Sequence, residues 1–335
     1  AWAKLSTTSG NLNLIEDQRK YADKAMEFLD RMTEPERAYV EGRYYGQNLE
    51  TFAQAIDTYE RALENYPHAT ALANNLGILY SGLGMYDEAI ETFEQGIRYG
   101  DSFPGTYSSL ATAYVAKGEV ERGLRILNDY LEENPDTFST INGLAQLYAQ
   151  LGDLEAAAAL VAKMEELRPG FFGNNFVRHS AALLAEDWEA AEATLVPIGQ
   201  LPFPFAKSAE AGFRSNLAIY RGRMQEALTH ALAGVASWEN AGTSRAQTHL
   251  NLASAYIELE EPEKVLEHTR QARLDAPGSN PDLVAHGFEV IAHQQLGQER
   301  RADLTLEELV RRAEPIPGPL LDNFIGLLRG FLAHE

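Results

Sequence analysis

The sequence contains no cysteine. That removes disulfide staples, thiolate zinc ligands and cysteine nucleophiles from consideration, and it is compatible with reducing and oxidising compartments alike. Long apolar runs are also missing. The longest stretch of small residues, Ala156 to Ala162, falls far short of the roughly 18–20 residues of a membrane span. Basic residues are scarce, with 28 Lys and Arg against 49 Asp and Glu and a formal net charge of −21. Such a chain repels phosphate backbones and anionic lipid, so nucleic acid is not an expected partner and neither is direct membrane insertion. A protein or peptide, neutral or with basic side chains, suits it better. Strand-like alternation is absent throughout, which argues against a sheet.

The chemical motifs are missing too. There is no phosphate-binding Gly-x-x-x-x-Gly-Lys-Ser/Thr loop, no Gly-x-Gly-x-x-Gly, no kinase His-Arg-Asp or Asp-Phe-Gly element, no Gly-x-Ser-x-Gly elbow and no His-Glu-x-x-His. Eight histidines are scattered along the chain. His286 and His293 are spaced to share a helix face, but two histidines without a recognised ligand motif do not point to a metal site. No catalytic residue, metal site or cofactor is assigned, and the expectation is that this chain is not an enzyme.

What is present is a repeat, and it is dense. Ala55, Ala89, Gly123, Ala157 and Ala191 follow one another at a spacing of 34. Four positions later comes an apolar series at the same spacing: Tyr59, Phe93, Leu127, Val161 and Leu195. Upstream in each unit lie Leu76, Leu110 and Leu144, then Tyr80, Tyr114 and Tyr148, then the turn glycines Gly84, Gly118 and Gly152. Pro67, Pro135 and Pro169 close units. Each residue type has a physical reason. The large apolar residue fills the gap between two helices, and the small one lets two backbones approach. The glycine takes a left-handed turn, and the proline cannot continue a helix.

These series resemble the tetratricopeptide repeat (TPR). Leu76-Gly77-Ile78-Leu79-Tyr80 carries its Leu-Gly-x-x-Tyr element, and Ala89 with Phe93 its Ala-x-x-x-Phe element. The fold this implies is all-α, a right-handed α-α superhelical solenoid of about nine helix pairs plus a terminal helix. Trp2, Leu5 and Ser6 fit a first helix, with Tyr21 to Met32 as its partner. Regular repeats span 36–169, inside an N-terminal array over 1–200. Beyond 170 the register loosens. The spacing from Ala191 to Ala227 is 36, and Pro197, Pro202 and Pro204 form an elbow. A more degenerate array over 201–335 ends in a helix from Leu320 to about Ala333.

In TPR arrays the first helices line the concave side, and that resemblance selects the candidate binding residues. They are Asn74, Asn75, Ile78, Ser108, Ser109, Thr112, Asn142 and Gln146, then Gln247, Asn251 and Ser254. Most are uncharged side chains that donate and accept hydrogen bonds, and so can hold a peptide backbone whatever its sequence. The bland alternative is a solvated surface. Asn75 and Asn251 match an asparagine ladder of superhelical TPR proteins, which Ser109 and Gly143 interrupt. Glu41, Glu258 and Asp282 are acids placed to meet a basic partner, although a solvated face is the commoner explanation. Phe172 and Phe176 with Trp188 crowd the loosened unit, followed by Phe203 and Phe205; they read as core fillers or as an aromatic interaction patch. Arg178 and His179 stand where small and apolar residues are expected, so either the register slips there or a polar pocket opens.

A narrower resemblance rests on the run from Leu29 to Tyr45 (LDRMTEPERAYVEGRYY), followed by Ala55-Ile56-Asp57-Thr58-Tyr59 and Asn75-Leu76-Gly77. It is similar to the C-terminal TPR region of bacterial membrane-attached serine/threonine kinases and related signalling proteins. That implies a sensing or interaction region of a larger bacterial protein, cytoplasmic or periplasmic, which once followed a signalling domain. The start at Ala1, without methionine, fits an excised piece. A second reading is self-assembly into a homo-oligomer through terminal apolar faces, Phe324, Leu327, Leu328 and Phe331 among them. A third, a cryptic hydrolase or lyase site in the degenerate units, has no motif to carry it.

Overall fold

A computed structural model describes residues 1–11, 15–171, 173–201, 206–237 and 243–333. The described residues contain helices and turns and no strand. In chain order the helices are α1 (Trp2–Asn11), α2 (Ile15–Met26), α3 (Glu34–Tyr45), α4 (Phe52–Asn65), α5 (Thr70–Gly82), α6 (Tyr86–Arg98), α7 (Pro104–Ala116), α8 (Val120–Glu133), α9 (Phe138–Gln150) and α10 (Leu154–Leu167). There follow α11 (Gly173–Leu184), α12 (Trp188–Ala193), α13 (Leu195–Gly199), α14 (Ala206–Tyr220), α15 (Met224–Ala236), α16 (Thr243–Glu258), α17 (Pro262–Asp275), α18 (Asn280–Gln295), α19 (Glu299–Ala313) and α20 (Pro319–Ala333). With α12 and α13 taken as one broken helix and α20 set aside, nine first-and-second pairs remain.

One boundary departs from the sequence reading. The second helix, expected over Tyr21 to Met32, runs instead from Ile15 to Met26, and Leu29–Arg31 form a short 3-10 turn. The cause is the next helix's start. Thr33 and Glu36 make a reciprocal capping box, with the Thr33 N–H donating to Glu36 Oε2 at 2.9 Å, and Pro35 sits in the first turn. A helix running to Met32 would leave no room for that cap.

The chain divides into two compact units, residues 1–85 with 239–335, and residues 86–238. In the second unit, hairpins α7/α8, α9/α10 and α11/α12–α13 stack so that first helices lie beside first helices. The repeat positions do what their chemistry dictates. Ala89, Ala157, Ala191 and the whole Phe93–Leu127–Val161–Leu195 series are buried. Each large side chain of that series contributes about 1.5–3 kcal/mol of apolar burial. At Gly123 even a methyl group is excluded, since a Cβ there would stand 2.7 Å from the Ala111 carbonyl oxygen. Tyr114 adds a polar tie, donating its hydroxyl to Glu94 of the preceding hairpin. Burial, then that acceptor's charge, pushes the phenol's pKa up to about 12.

The first unit uses the same devices in α1/α2, α3/α4, α16/α17 and α18/α19. Tyr80 donates to Glu60 at 2.5 Å, repeating the Tyr114–Glu94 tie 34 residues earlier. At the equivalent sequence positions of the second unit, Tyr148 has Asn128 in place of a glutamate, and Asn128 donates to the Leu124 carbonyl. The unit also joins segments far apart in sequence. The Leu49 N–H donates to the Gly278 carbonyl at 3.1 Å. Arg312 bonds Glu50 at 3.0 Å, a separation of 262 residues. Gly318, in a left-handed conformation, lies against Leu83.

Candidate functional site

The candidate groove residues lie on first helices, as follows. In the second unit, Ser108, Ser109 and Asn142 are half-buried, while Thr112 and Gln146 are exposed. Thr112 spends its hydroxyl proton on the Ser108 carbonyl at 2.9 Å. Ser108 sits over α9 closely enough that a Cβ on Gly143 would come 3.3 Å from its hydroxyl. In the first unit, Gln247, Asn251 and Ser254 are exposed, and Gln247 donates to Asn251 at 3.1 Å. Asn74 and Asn75 are half-buried and Ile78 is 48% exposed. Phe176 and Trp188 pack against the buried cluster of Ala182, Ala191, Leu195, Ile198 and Leu217, with Phe176 also 5.4 Å from the Phe213 ring. Phe172, Phe203 and Phe205 lie outside the described residues. Asp282, considered for a basic partner, is interior, and its carboxylate is taken up by the chain's own arginines.

Asn75 and Ile78 share a cavity of about 300 Å³ in the first unit. Its floor begins with a departure from the repeat. Gly42 stands where Leu76, Leu110 and Leu144 stand later, and Arg43 where Gly77, Ala111 and Ala145 do. The missing leucine volume is filled from the facing helix by Tyr59, whose ring a Cβ on Gly42 would overlap. Tyr59 is buried, which drives its phenol well above the ordinary tyrosine value against a small opposing pull from Arg43. The Asn75 side chain sits beside it, its buried Nδ2 turned to the phenol without a well-formed hydrogen bond. Arg19, Gln18 and Gln47 complete this side, and residues 275–279 form the opposite wall.

That wall is fixed by a buried ion cluster. Asp282 accepts from the Gly278 N–H at 2.8 Å and from Arg312 at 2.9 Å, with Arg273 at 3.3 Å. Burial pushes its pKa up, but the Arg312 bond, the Gly278 amide and the charges of Arg312 and His286 outweigh this and hold it below the usual carboxylate value. Behind the wall, His249 and His268 face each other with Nδ1 atoms 3.0 Å apart, and Tyr256 stacks on His268. Asp275 Oδ2 has Arg245 Nε at 3.4 Å and His249 Nε2 at 3.8 Å, without a well-formed hydrogen bond. Burial raises the Asp275 pKa, while burial, then the charges of His268 and Arg245, lowers His249 to about 4. No group of three or more His, Cys, Asp or Glu among the described residues could hold a metal.

The Arg178–His179 anomaly resolves without a slip in register. His179 occupies the close-packing position and is fully buried. Its Nδ1 lies 3.1 Å from the Ala191 carbonyl and 2.9 Å from Thr194 Oγ1. An imidazole is larger than the alanine expected there, and the second helix breaks between α12 and α13 at Thr194, just before Pro197. Ser215 makes the equivalent bond to the Ala227 carbonyl at 2.9 Å, and Ser6 to that of Gln18 at 3.0 Å. All three reach twelve residues ahead. A polar residue at the close-packing position donating across the hairpin was therefore readable from its spacing to the small residue, once the exception was read as a bond instead of a mismatch.

Residues 39–105 and 109–170 match the tetratricopeptide repeat family model. These segments are tetratricopeptide repeats. A search of curated proteins by sequence finds no match. Among solved structures, a TPR protein from Parabacteroides merdae is 17% identical with a TM-score of 0.54, over 81% of this chain and 96% of that one. Yeast Tom70 is 14% identical with a TM-score of 0.66, over 90% of this chain and 65% of that one. The Cut9–Hcn1 hetero-tetramer of the APC/C is 14% identical with a TM-score of 0.50, over 86% of this chain and 54% of that one. The likeness establishes an all-helical TPR solenoid architecture, one consistent with a protein-interaction scaffold. No helix among the described residues is long and apolar enough to cross a membrane.

Proposed function

We propose that this chain is a protein- or peptide-binding TPR scaffold whose partner lies along the first helices. The observation that carries the reading is the character of those helices' outward positions. Ser108, Ser109, Thr112, Asn142 and Gln146 in one unit, and Gln247, Asn251 and Ser254 in the other, are uncharged, polar and wholly or partly open to solvent. Amides and hydroxyls so spaced satisfy the N–H and C=O groups of a peptide backbone without demanding one side-chain sequence. The chain's acidity favours basic side chains on that partner, with Glu258 exposed near Ser254. One like-folded structure, Cut9–Hcn1, is itself a hetero-assembly.

The run from Leu29 to Tyr45 supports a finer reading, an interaction or sensing region of a larger bacterial signalling protein carrying its catalytic domain elsewhere. The looser spacing after residue 170 supports the division into a regular array over 1–200 and a degenerate one over 201–335. Self-association through α20 is a second reading. Leu327 is 74% exposed, although Phe324 and Leu328 already pack against Gly287.

Titration of labelled candidate peptides tests the scaffold reading. Binding should weaken in Asn142→Ala/Gln146→Ala and in Asn251→Ala. If a peptide binds the wild type and both variants equally well, the groove is not where it binds. Light scattering of the isolated chain addresses self-association, which a monomer at high concentration would rule out.

A further inference from the structure

The geometry points to a second binding site, distinct from the α7, α9 and α16 positions of the groove and taking in Asn75 and Ile78: the cavity walled by α2–α5 and residues 275–279 binds a small molecule through an oxyanion, a carboxylate or phosphate group.

Four observations converge there. The cavity, about 300 Å³, is the size of a small-metabolite site and lies between segments that the fold holds in contact. The Leu49–Gly278 hydrogen bond and the Arg312–Glu50 ion pair secure its two walls to each other. Two guanidinium groups line it, from Arg19 and Arg43, and neither makes an ion pair or hydrogen bond through its side chain among the described residues. Arg43 has only the Tyr39 ring, 6.0 Å away. In a chain with 21 more acids than bases, uncompensated arginines facing one cavity are the exception to the prevailing charge.

The third observation is Asn75. It lines the cavity beside the Tyr59 hydroxyl, which its side-chain amide faces. An oxyanion is an acceptor on every face and suits the two guanidiniums that line the cavity. Gln18 and Gln47 add amides on the same wall.

The fourth concerns the acid at the site. Asp275 contributes to the wall, but its Oδ2 is directed at Arg245 and His249, neither of which lines the cavity. Asp282 is likewise satisfied by Arg312, Arg273 and the Gly278 amide. Asp282 therefore has its own cations and Asp275 faces Arg245, which leaves Arg19 and Arg43 as the charges at the cavity without a counter-ion among the described residues. A discrete small molecule is favoured over a polypeptide because both walls belong to one unit and enclose only about 300 Å³.

The test is isothermal titration of the whole chain with inorganic phosphate and, separately, succinate, in low-salt buffer. One-site saturable binding of at least one probe is expected. Arg43→Met and Arg19→Met should each weaken it by about tenfold or more, the scale of one charge-assisted contact. Arg43→Lys should retain part of the affinity, and Asn142→Ala/Gln146→Ala should leave it unchanged. Preference for phosphate over succinate, or the reverse, distinguishes the two headgroups, and either supports the site. Circular dichroism verifies that each variant is folded. Should Arg43→Met not fold, Arg19→Met decides, since Arg19 is exposed. Saturation by neither probe up to about 10 mM, a free energy below that of a millimolar ligand, or undiminished binding in a folded arginine variant, overturns the proposal. Neither result bears on peptide binding by the groove, which the alanine variants of α9 and α16 test independently.

Discussion

The two units are built from one repeat and held together differently. In the unit spanning 86–238, each hairpin rests on its sequence neighbours, and the ties are short-range: Tyr114 to Glu94, His179 to Ala191, Ser215 to Ala227. The unit made of 1–85 and 239–335 adds bonds between residues more than two hundred positions apart, and it concentrates its buried charge there. A repeat array is ordinarily a chain of nearest-neighbour interfaces. Where two remote segments of it meet, the meeting surface needs specific polar bonds, because the repeat pattern itself supplies none. The same surface encloses the cavity.

Removing the central acid should separate the units most sharply. Asp282→Ala leaves Arg312 and Arg273, both half-buried, without their shared carboxylate, at a cost of about 3 kcal/mol. Denaturant unfolding monitored by circular dichroism should show one portion of the chain unfolding early. The counterpart in the other unit is Asp87→Ala, which breaks an exposed pair with Lys117 and should cost under about 1 kcal/mol. Equal effects would mean that the buried cluster adds nothing to the regular stack.

Acid should act next, and in a defined window. His249 titrates near the ordinary histidine value of 6.5 when unfolded, and at about 4 when folded because it is buried beside His268 and Arg245. The unfolded state therefore binds more protons between these values, and stability falls as pH drops through that range. The loss is on the order of 3 kcal/mol by pH 4. His268 shifts the same way, through burial, as does His179 in the other unit. Asp275, raised by burial, runs oppositely and only at the acidic end. Asp282, held low, loses its contribution below about pH 4, as it protonates. His249→Gln should flatten the midpoint-versus-pH curve between pH 6.5 and 4; an unchanged slope would place the transition in some other group.

The exchange of Gly42 for leucine and Tyr59 for a smaller residue separates local irregularity from remote closure. Gly42→Leu alone drives a side chain into the Tyr59 ring and should cost about 1–3 kcal/mol. In combination with Tyr59→Leu, which restores the pattern of Leu110 and Leu127, much of that cost should return, as a coupling energy between contacting residues. Strict additivity would mean that the two positions do not compensate one another.

Much of the fold was legible because its determinants recur. The 55–89–123–157–191 series could be read as helix crossings from residue size alone, and Gly123 meets the Ala111 carbonyl there. The outward polarity of α7, α9 and α16 was equally readable. The cavity was not. Asn75 and Ile78 were selected as groove residues by register, but nothing near Arg43 in sequence announces Gly278 across from it. The contact depends on how many hairpins intervene and how each turns, which sums over all of them and is written in no single motif. Asp282 was misassigned for the same reason, its arginines being supplied by α17 and by α19.

The smallest predicted effect uses the turns, where the units behave alike. Gly84, Gly118, Gly152, Gly222 and Gly297 all adopt left-handed backbone where a hairpin's first helix ends. Two hairpins, one in each unit, place a glutamate in that position: Glu186 and Glu260, each with φ of 55°. The closing bond is nonetheless intact in both, from the Asp187 N–H to the Ala182 carbonyl at 2.9 Å and from the Glu261 N–H to the Tyr256 carbonyl at 3.0 Å. The turn is thus imposed by the stack on a residue that resists it, at about 1–2 kcal/mol for an L-residue in this region. Glycine removes that strain but adds freedom to the unfolded chain. Glu186→Gly and Glu260→Gly should each stabilise by up to about 1 kcal/mol, seen as a rise in thermal midpoint. Because the turn is the same local object in either setting, the two gains should match within error. A larger gain at Glu260 would mean that remote closure strains the turns of its own unit.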